Sequence, residues 1–114
     1  MTKSTLVRKK IGDKLYRFDN TKERIVKIIN QPNYDTNGES VLIVKDTTSS
    51  TIVLDHTSTT SIIIKAMTKV FLQPKKGYID EYYEELQIEK GACVELEYFE
   101  GSWYILSSDG LKLN

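Results

Sequence analysis

Sixteen residues near the C-terminus, Gly91–Leu106 (GACVELEYFEGSWYIL), constrain the fold most, because strand pairing can be written down from their letters. A two-residue turn at Glu100-Gly101 sets a hairpin whose register follows from its loop length. Phe99 then faces Ser102, Tyr98 faces Trp103, Leu96 faces Ile105 and Val94 faces Ser107. One side of the ribbon is Val94, Leu96, Tyr98, Trp103 and Ile105, a core face. The other side carries Glu95, Glu97, Phe99, Tyr104 and Leu106, mixed enough for water and improved by aromatic neighbours. Glu is a poor first residue for a type I′ turn, which requires φ > 0 there, so a three-residue loop with Gly101 in a bulge is the alternative. That loop would set Tyr98 against Ser102 and scramble both faces, which favours the shorter one.

Upstream of this hairpin, short β-branched runs alternate with turn chemistry. Strands are expected at Val41–Lys45, Thr51–Leu54, Ser61–Lys65, Val70–Leu72, Tyr82–Ile88, Ala92–Tyr98 and Trp103–Ser107. The connections between them are Asp46–Ser50, Asp55–Ser58 and Gln73–Gly77. Gln31–Gly38 (QPNYDTNG) reads as a loop, since Pro removes a donor and Asn-Gly favours positive φ. Before it, Arg24–Asn30 (RIVKIIN) is ambiguous: Ile25, Ile28 and Ile29 fit a helical face, while β-branching and short length favour a strand. Leu15–Phe18 alternates over few residues, and Leu6-Val7 is the one apolar pair of the opening stretch. No segment keeps helical periodicity for three turns. The expected fold is all-β, an antiparallel β-sandwich or barrel-like module over residues 31–114, preceded by a basic N-terminal arm, residues 1–30, with one to three short strands.

Charge supports that division. The 114 residues carry 16 Lys/Arg and 16 Asp/Glu, but residues 1–30 hold nine of the cations against three acids, a net of +6, which leaves −6 on the remainder. A basic arm on an acidic body is a docking pattern for nucleic acid, an acidic protein surface or the acidic body of another copy. Lys3, Arg8, Lys9, Lys10, Lys14 and Arg17 are the candidate docking cations. With 39% apolar residues the chain has the composition of a folded domain. Its longest apolar run, Val41–Val44, falls far short of the roughly 20 residues that span a bilayer, so a membrane partner is not expected.

Candidate chemistry is sparse. Cys93, the only cysteine, excludes an internal disulfide and reads as a small buried hydrophobe in a strand. With His56 the only histidine, no Cys/His zinc set can be assembled. Glu84 and Glu85, adjacent on a strand, would point to opposite faces and cannot pair as glycosidase carboxylates. Glu95 and Glu97 share a face, where edge charges commonly resist edge-to-edge pairing. The Ser/Thr-rich stretch 47–61 suits strands and turns, with glycan binding as a sharper alternative. No enzyme, no cofactor and no metal is expected.

Over Asn37–Asp109 the chain resembles a β-rich module of fibre and head-decoration proteins in tailed bacteriophages. The resemblance rests on Asn37–Asp46 (NGESVLIVKD), on the Ser/Thr-rich segment with Leu86-Gln87-Ile88, and on Val94–Leu106 (VELEYFEGSWYIL), whose turn reads Glu-Gly where the family's reads Asp-Gly. It implies a non-catalytic virion structural protein, associating with itself as a trimer, or alternatively a dimer, and anchored to capsid or other virion proteins by its arm. Glu95, Glu97, Phe99, Tyr104 and Leu106 are then the expected contact between copies. A chain this short suits a head fibre or capsid decoration protein, made in the host cytoplasm. A host-surface, glycan-binding fibre module is the second reading, and a nucleic-acid-binding module through the arm is the third.

Overall fold

In the computed structural model, which describes residues 24–110, the chain forms nine strands, and buried and outward side chains alternate through the central ones. They are β1 (Val26–Ile29), β2 (Asn33–Asp35), β3 (Val41–Val44), β4 (Ser49–Leu54), β5 (Ser61–Ala66), β6 (Lys69–Pro74), β7 (Leu86–Ile88), β8 (Cys93–Phe99) and β9 (Ser102–Asp109). No helix occurs among the described residues. The all-β expectation therefore holds, and two mixed sheets share one core.

The antiparallel expectation does not hold. The first six strands alternate between a five-stranded sheet, β1-β3-β5-β8-β9, and a four-stranded one, β2-β4-β6-β7. β1, β3 and β5 run parallel to one another, as do β2, β4 and β6. Each connection from β1 to β6 crosses to the facing sheet, so the chain winds as three stacked coils, each contributing one strand to each sheet. A corner and a hairpin use the same Asp, Ser, Thr and Gly residues, which is why turn signals in the sequence do not reveal which way the chain leaves. Antiparallel pairing begins only afterwards, with β7 on β6, β8 on β5 and the β8–β9 hairpin.

Coil stacking places like positions above one another. Inward rows such as Ile52, Leu72 and Leu86, or Leu42, Ile64 and Val94, follow directly from the register. All six of these side chains are buried in a single cluster with Trp103 and Ile79. At about 25 cal/mol per Å² of apolar surface, such rows are the main stabilising term.

Three further corrections are local. β2 lies inside the stretch expected as a loop, because Tyr34 turns inward over Ile52 and its neighbours join a parallel ladder. Only Leu86–Ile88 of the expected Tyr82–Ile88 strand forms; before it, Asp80 and Glu81 adopt positive φ and Tyr83 N–H donates to Ile79 O, closing a tight loop. In the hairpin, Glu100 (φ 48°) and Gly101 (φ 90°) confirm the two-residue turn with both residues left-handed. Tyr98 faces Trp103, Phe99 faces Ser102 and Leu96 faces Ile105 as expected, but Leu106 is an extra residue in a bulge, so Val94 meets Ser108 and not Ser107.

Candidate interaction surfaces

The docking cations Lys3, Arg8, Lys9, Lys10, Lys14 and Arg17 lie outside the described residues. The surfaces that can be built from residues upward are the two outer sheet faces, the coil corners and the first coil's edge.

On the outside of the five-stranded sheet, parallel register aligns Val26, Val41 and Ile63 in one row with Glu95, and Ile28, Ile43 and Lys65 in the next with Cys93. Val26 and Ile28 are more than half exposed, as is Ile25 just before the strand, while Val41, Ile43 and Ile63 are partly covered by their neighbours. This makes an apolar β-branched field at one end of the face. The outside of the four-stranded sheet differs: its rows are Asn33, Thr51, Phe71 and Gln87, and Asp35, Val53 and Gln73. It is polar at most positions, and Gln73 Nε2 donates to Glu85 at 2.8 Å.

The residues expected at a contact between copies sit on the same outer face, at its other end. Glu95, Glu97 and Phe99 follow one another along β8, and Tyr104 lies across from Glu97. Leu106 is the bulged residue and, like Phe99, is more than half exposed. Two members of this group have structural partners. Ser107 Oγ donates to Glu95 at 3.1 Å, and Tyr104 OH donates to Glu81 at 2.6 Å, an interaction that raises the Tyr104 pKa. The apolar field at Val26 and Ile28 was not foreseen; the signal for it is that Arg24–Asn30 has apolar residues at both even and odd positions.

Serine and threonine of the 47–61 stretch fasten coils at their corners. Ser50 Oγ donates to Gln31 O at 2.7 Å, and Gly38 N–H donates to Thr59 Oγ1 at 2.7 Å. Asp55 N–H donates to Thr36 Oγ1 at 2.8 Å, and Ser58 Oγ to Thr36 O at 2.8 Å. Ser50, Thr36 and Thr59 are buried, so these bonds satisfy backbone groups where the chain leaves a sheet. Asp55 accepts from the Thr57 hydroxyl and amide, which lowers its pKa, with Lys75 adding a smaller effect from 3.4 Å.

At the first coil, Tyr34 OH donates to the buried Glu39 carboxylate, which also accepts from Asn37 N–H at 2.8 Å. Burial first, and Glu39 second, push the Tyr34 pKa up to about 12. Lys27, an inward position of β1, places Nζ 5.1 Å from the Tyr34 ring centroid. An inward charge on an edge strand limits indiscriminate edge pairing.

The carboxylates weighed as acids have other surroundings. Glu84 and Glu85 lie in the loop before β7, not on a strand, and Glu95 and Glu97 flank one outer row of β8. Among the described residues no three His, Cys, Asp or Glu side chains converge as a metal site would require. Cys93 is half-buried on the outer face.

The described residues thus define a class by architecture: a short two-sheet β-solenoid closed at one end by antiparallel strands. Comparison with protein-family models and with curated proteins finds no match to the chain.

Proposed function

We propose that the chain is a non-enzymatic structural protein of a tailed-bacteriophage virion, a head fibre or capsid decoration protein. It associates with its own copies through the outside of the five-stranded sheet, as a trimer or a dimer, and docks on acidic virion proteins through the cations at its N-terminal end. The observation that carries this reading is the difference between the two outer faces. One sheet presents Val26, Ile28, Phe99 and Leu106 to solvent, whereas the other presents mainly Asn, Asp, Gln and Thr. Apolar exposure concentrated on one face marks a surface that is covered in the working state. The resemblance over Asn37–Asp109 supplies the virion setting.

Mass measurement in solution tests the self-association. The wild-type protein is expected as an oligomer, and Ile28→Glu with Phe99→Glu as a folded monomer. A wild-type monomer at high concentration refutes it. For docking, deletion of residues 1–14 is expected to abolish incorporation into particles; incorporation at the wild-type level overturns that part.

A further inference from the structure

Strand order sorts charge across the outside of the five-stranded sheet. β1, β3 and β5 contain no Asp or Glu, whereas β8 and β9 contain no Lys or Arg. On the first half the outward side chains are mainly β-branched, and the exposed Arg24, two residues before Val26, falls on the same side by alternation. On the second half they include Glu95, Glu97, Phe99 and Tyr104. The loop before β7 extends this half. Ile79 bridges to Trp103 in parallel, so Asp80 comes beside Tyr104, and its carboxylate accepts from Ile105 N–H at 3.0 Å. With Glu81 accepting from Tyr104 OH, the half-buried Tyr104 has carboxylates on both sides, Glu97 on β8 and Asp80 and Glu81 beyond β9.

Two copies can lay this face on itself with strands aligned, about 10 Å apart, in two ways. A two-fold axis running across the strands sets β1 on β1 and β8 on β8, which brings Glu95 and Glu97 toward their own counterparts. An axis running along the central strand, β5, exchanges the halves, so that β1 of each copy covers β9 of the other and β3 covers β8. Charge favours the second. That axis also keeps the rows: Val26, Val41, Ile63 and Glu95 share one, and the row before it holds Glu97 and Tyr104. Arg24 belongs to that earlier row on β1. The exchange therefore carries its guanidinium over Tyr104 of the other copy, a cation above an aromatic ring bordered by acids. Lys65, near the axis, has its Nζ turned to Gly91 O of its own chain at 2.8 Å.

We propose that the chain forms a two-fold dimer of this second kind, in which Arg24 of each copy seats on Tyr104 and Glu97 of the other while Val26 and Ile28 cover the exposed Leu106. This rests on the self-association proposed above and narrows it to a dimer. Both halves lie on one sheet face, so a single partner covers them together, whereas a ring would have to present them to two different neighbours.

The test uses the full-length chain, with Arg24→Glu and Glu97→Arg made separately, sedimentation velocity reading mass and circular dichroism reading the fold. Alone, each variant sets like charges together at two contacts per dimer and should weaken dimerisation by about tenfold. Arg24→Gln and Glu97→Gln, which remove charge without reversing it, should weaken it less. Mixed in equal amounts, the two reversed variants should recover the wild-type dimer, since one contact becomes the charge-reversed pair and the other is the native one. A three-membered ring of the same two variants always keeps one repulsive contact. Reversed variants that dimerise as wild type does, or a mixture no tighter than either alone, overturn the proposal while self-association stands, as does a wild-type trimer. A wild-type monomer at high concentration removes the self-association itself, and this dimer with it.

Discussion

The Tyr98 ring meets the Trp103 indole edge-on across the β8–β9 hairpin, centroids 5.4 Å apart, and His56 stacks on the same Tyr98 ring at 4.9 Å. The corner after β4 is thereby tied to the hairpin that closes the coils. Ile79 extends the tie on the other side: Trp103 N–H donates to Tyr78 O at 2.9 Å, and Asp80 N–H donates to Trp103 O at 2.7 Å. The long loop before β7 is held by the strand that carries the indole.

Trp103→Ala is expected to destabilise the protein by on the order of 3–5 kcal/mol, because the side chain is fully buried, with its backbone held between Tyr98 of β8 and Ile79. Trp103→Phe should cost less, since Nε1 has no acceptor among the described residues and only volume is lost. Urea denaturation distinguishes them; equal losses would mean that an indole hydrogen bond matters.

The turn makes an opposite prediction. Glu100 sits at φ 48°, a left-handed conformation that costs a residue with a Cβ roughly 1–2 kcal/mol and that Asn tolerates better. Glu100→Asn should therefore raise the melting temperature. Gly77→Ala should lower it sharply, because a Cβ there would stand 2.2 Å from Gly101 O in a backbone already at φ +81°. A silent Gly77→Ala variant would show that the loop and the turn do not touch.

Some of this was legible in the letters and some could not be. The hairpin register next to the turn followed from Glu100-Gly101, because two residues leave the chain one way to return, whereas the Leu106 bulge that moves Val94 from Ser107 to Ser108 did not. Strand existence followed from short β-branched runs bounded by turn residues, at Val41–Lys45, Thr51–Leu54 and Ser61–Lys65. Strand direction did not, because Asp55–Ser58 looks like a hairpin turn and becomes a corner only when Thr36 and Ser58 bond across coils. The sequence does carry a trace of stacking in the 18- and 20-residue steps of the four-stranded sheet, Asn33 to Thr51 and Thr51 to Phe71, weakened by unequal steps of 15 and 22 in the other sheet, at Val26 to Val41 and Val41 to Ile63. The outer face of β8–β9 was readable as a mixed face. The apolar field at Val26 and Ile28 emerged only once three parallel strands aligned their outward residues.

Thr36 joins three chain segments, donating its N–H to Val53 O and accepting from Asp55 N–H and Ser58 Oγ. Thr36→Val keeps the shape and removes the acceptor for Asp55, which should cost about 1–3 kcal/mol. Thr36→Ser keeps the oxygen and should cost less. Equal stability of the valine variant and wild type in thermal melts would refute the corner's role.

Tyr34 gives the chain a pH signature at the alkaline side. Its pKa, held at about 12 in the fold by burial and by the Glu39 carboxylate, stands above the ordinary 10.0. Above pH 10 the unfolded chain releases this proton while the folded chain keeps it. The unfolded state then binds fewer protons, and stability falls as pH rises. The contribution is complete below pH 10 and lost as pH climbs through about 12. Tyr34→Phe removes the phenol from both states, so its stability should decline less steeply over that window than wild type. Phenolate absorbance should likewise show one fewer late-ionising tyrosine. Matching slopes for the two proteins would mean that Tyr34 ionises in the fold as freely as it does in the unfolded chain, and that the Tyr34–Glu39 contact does not hold its proton.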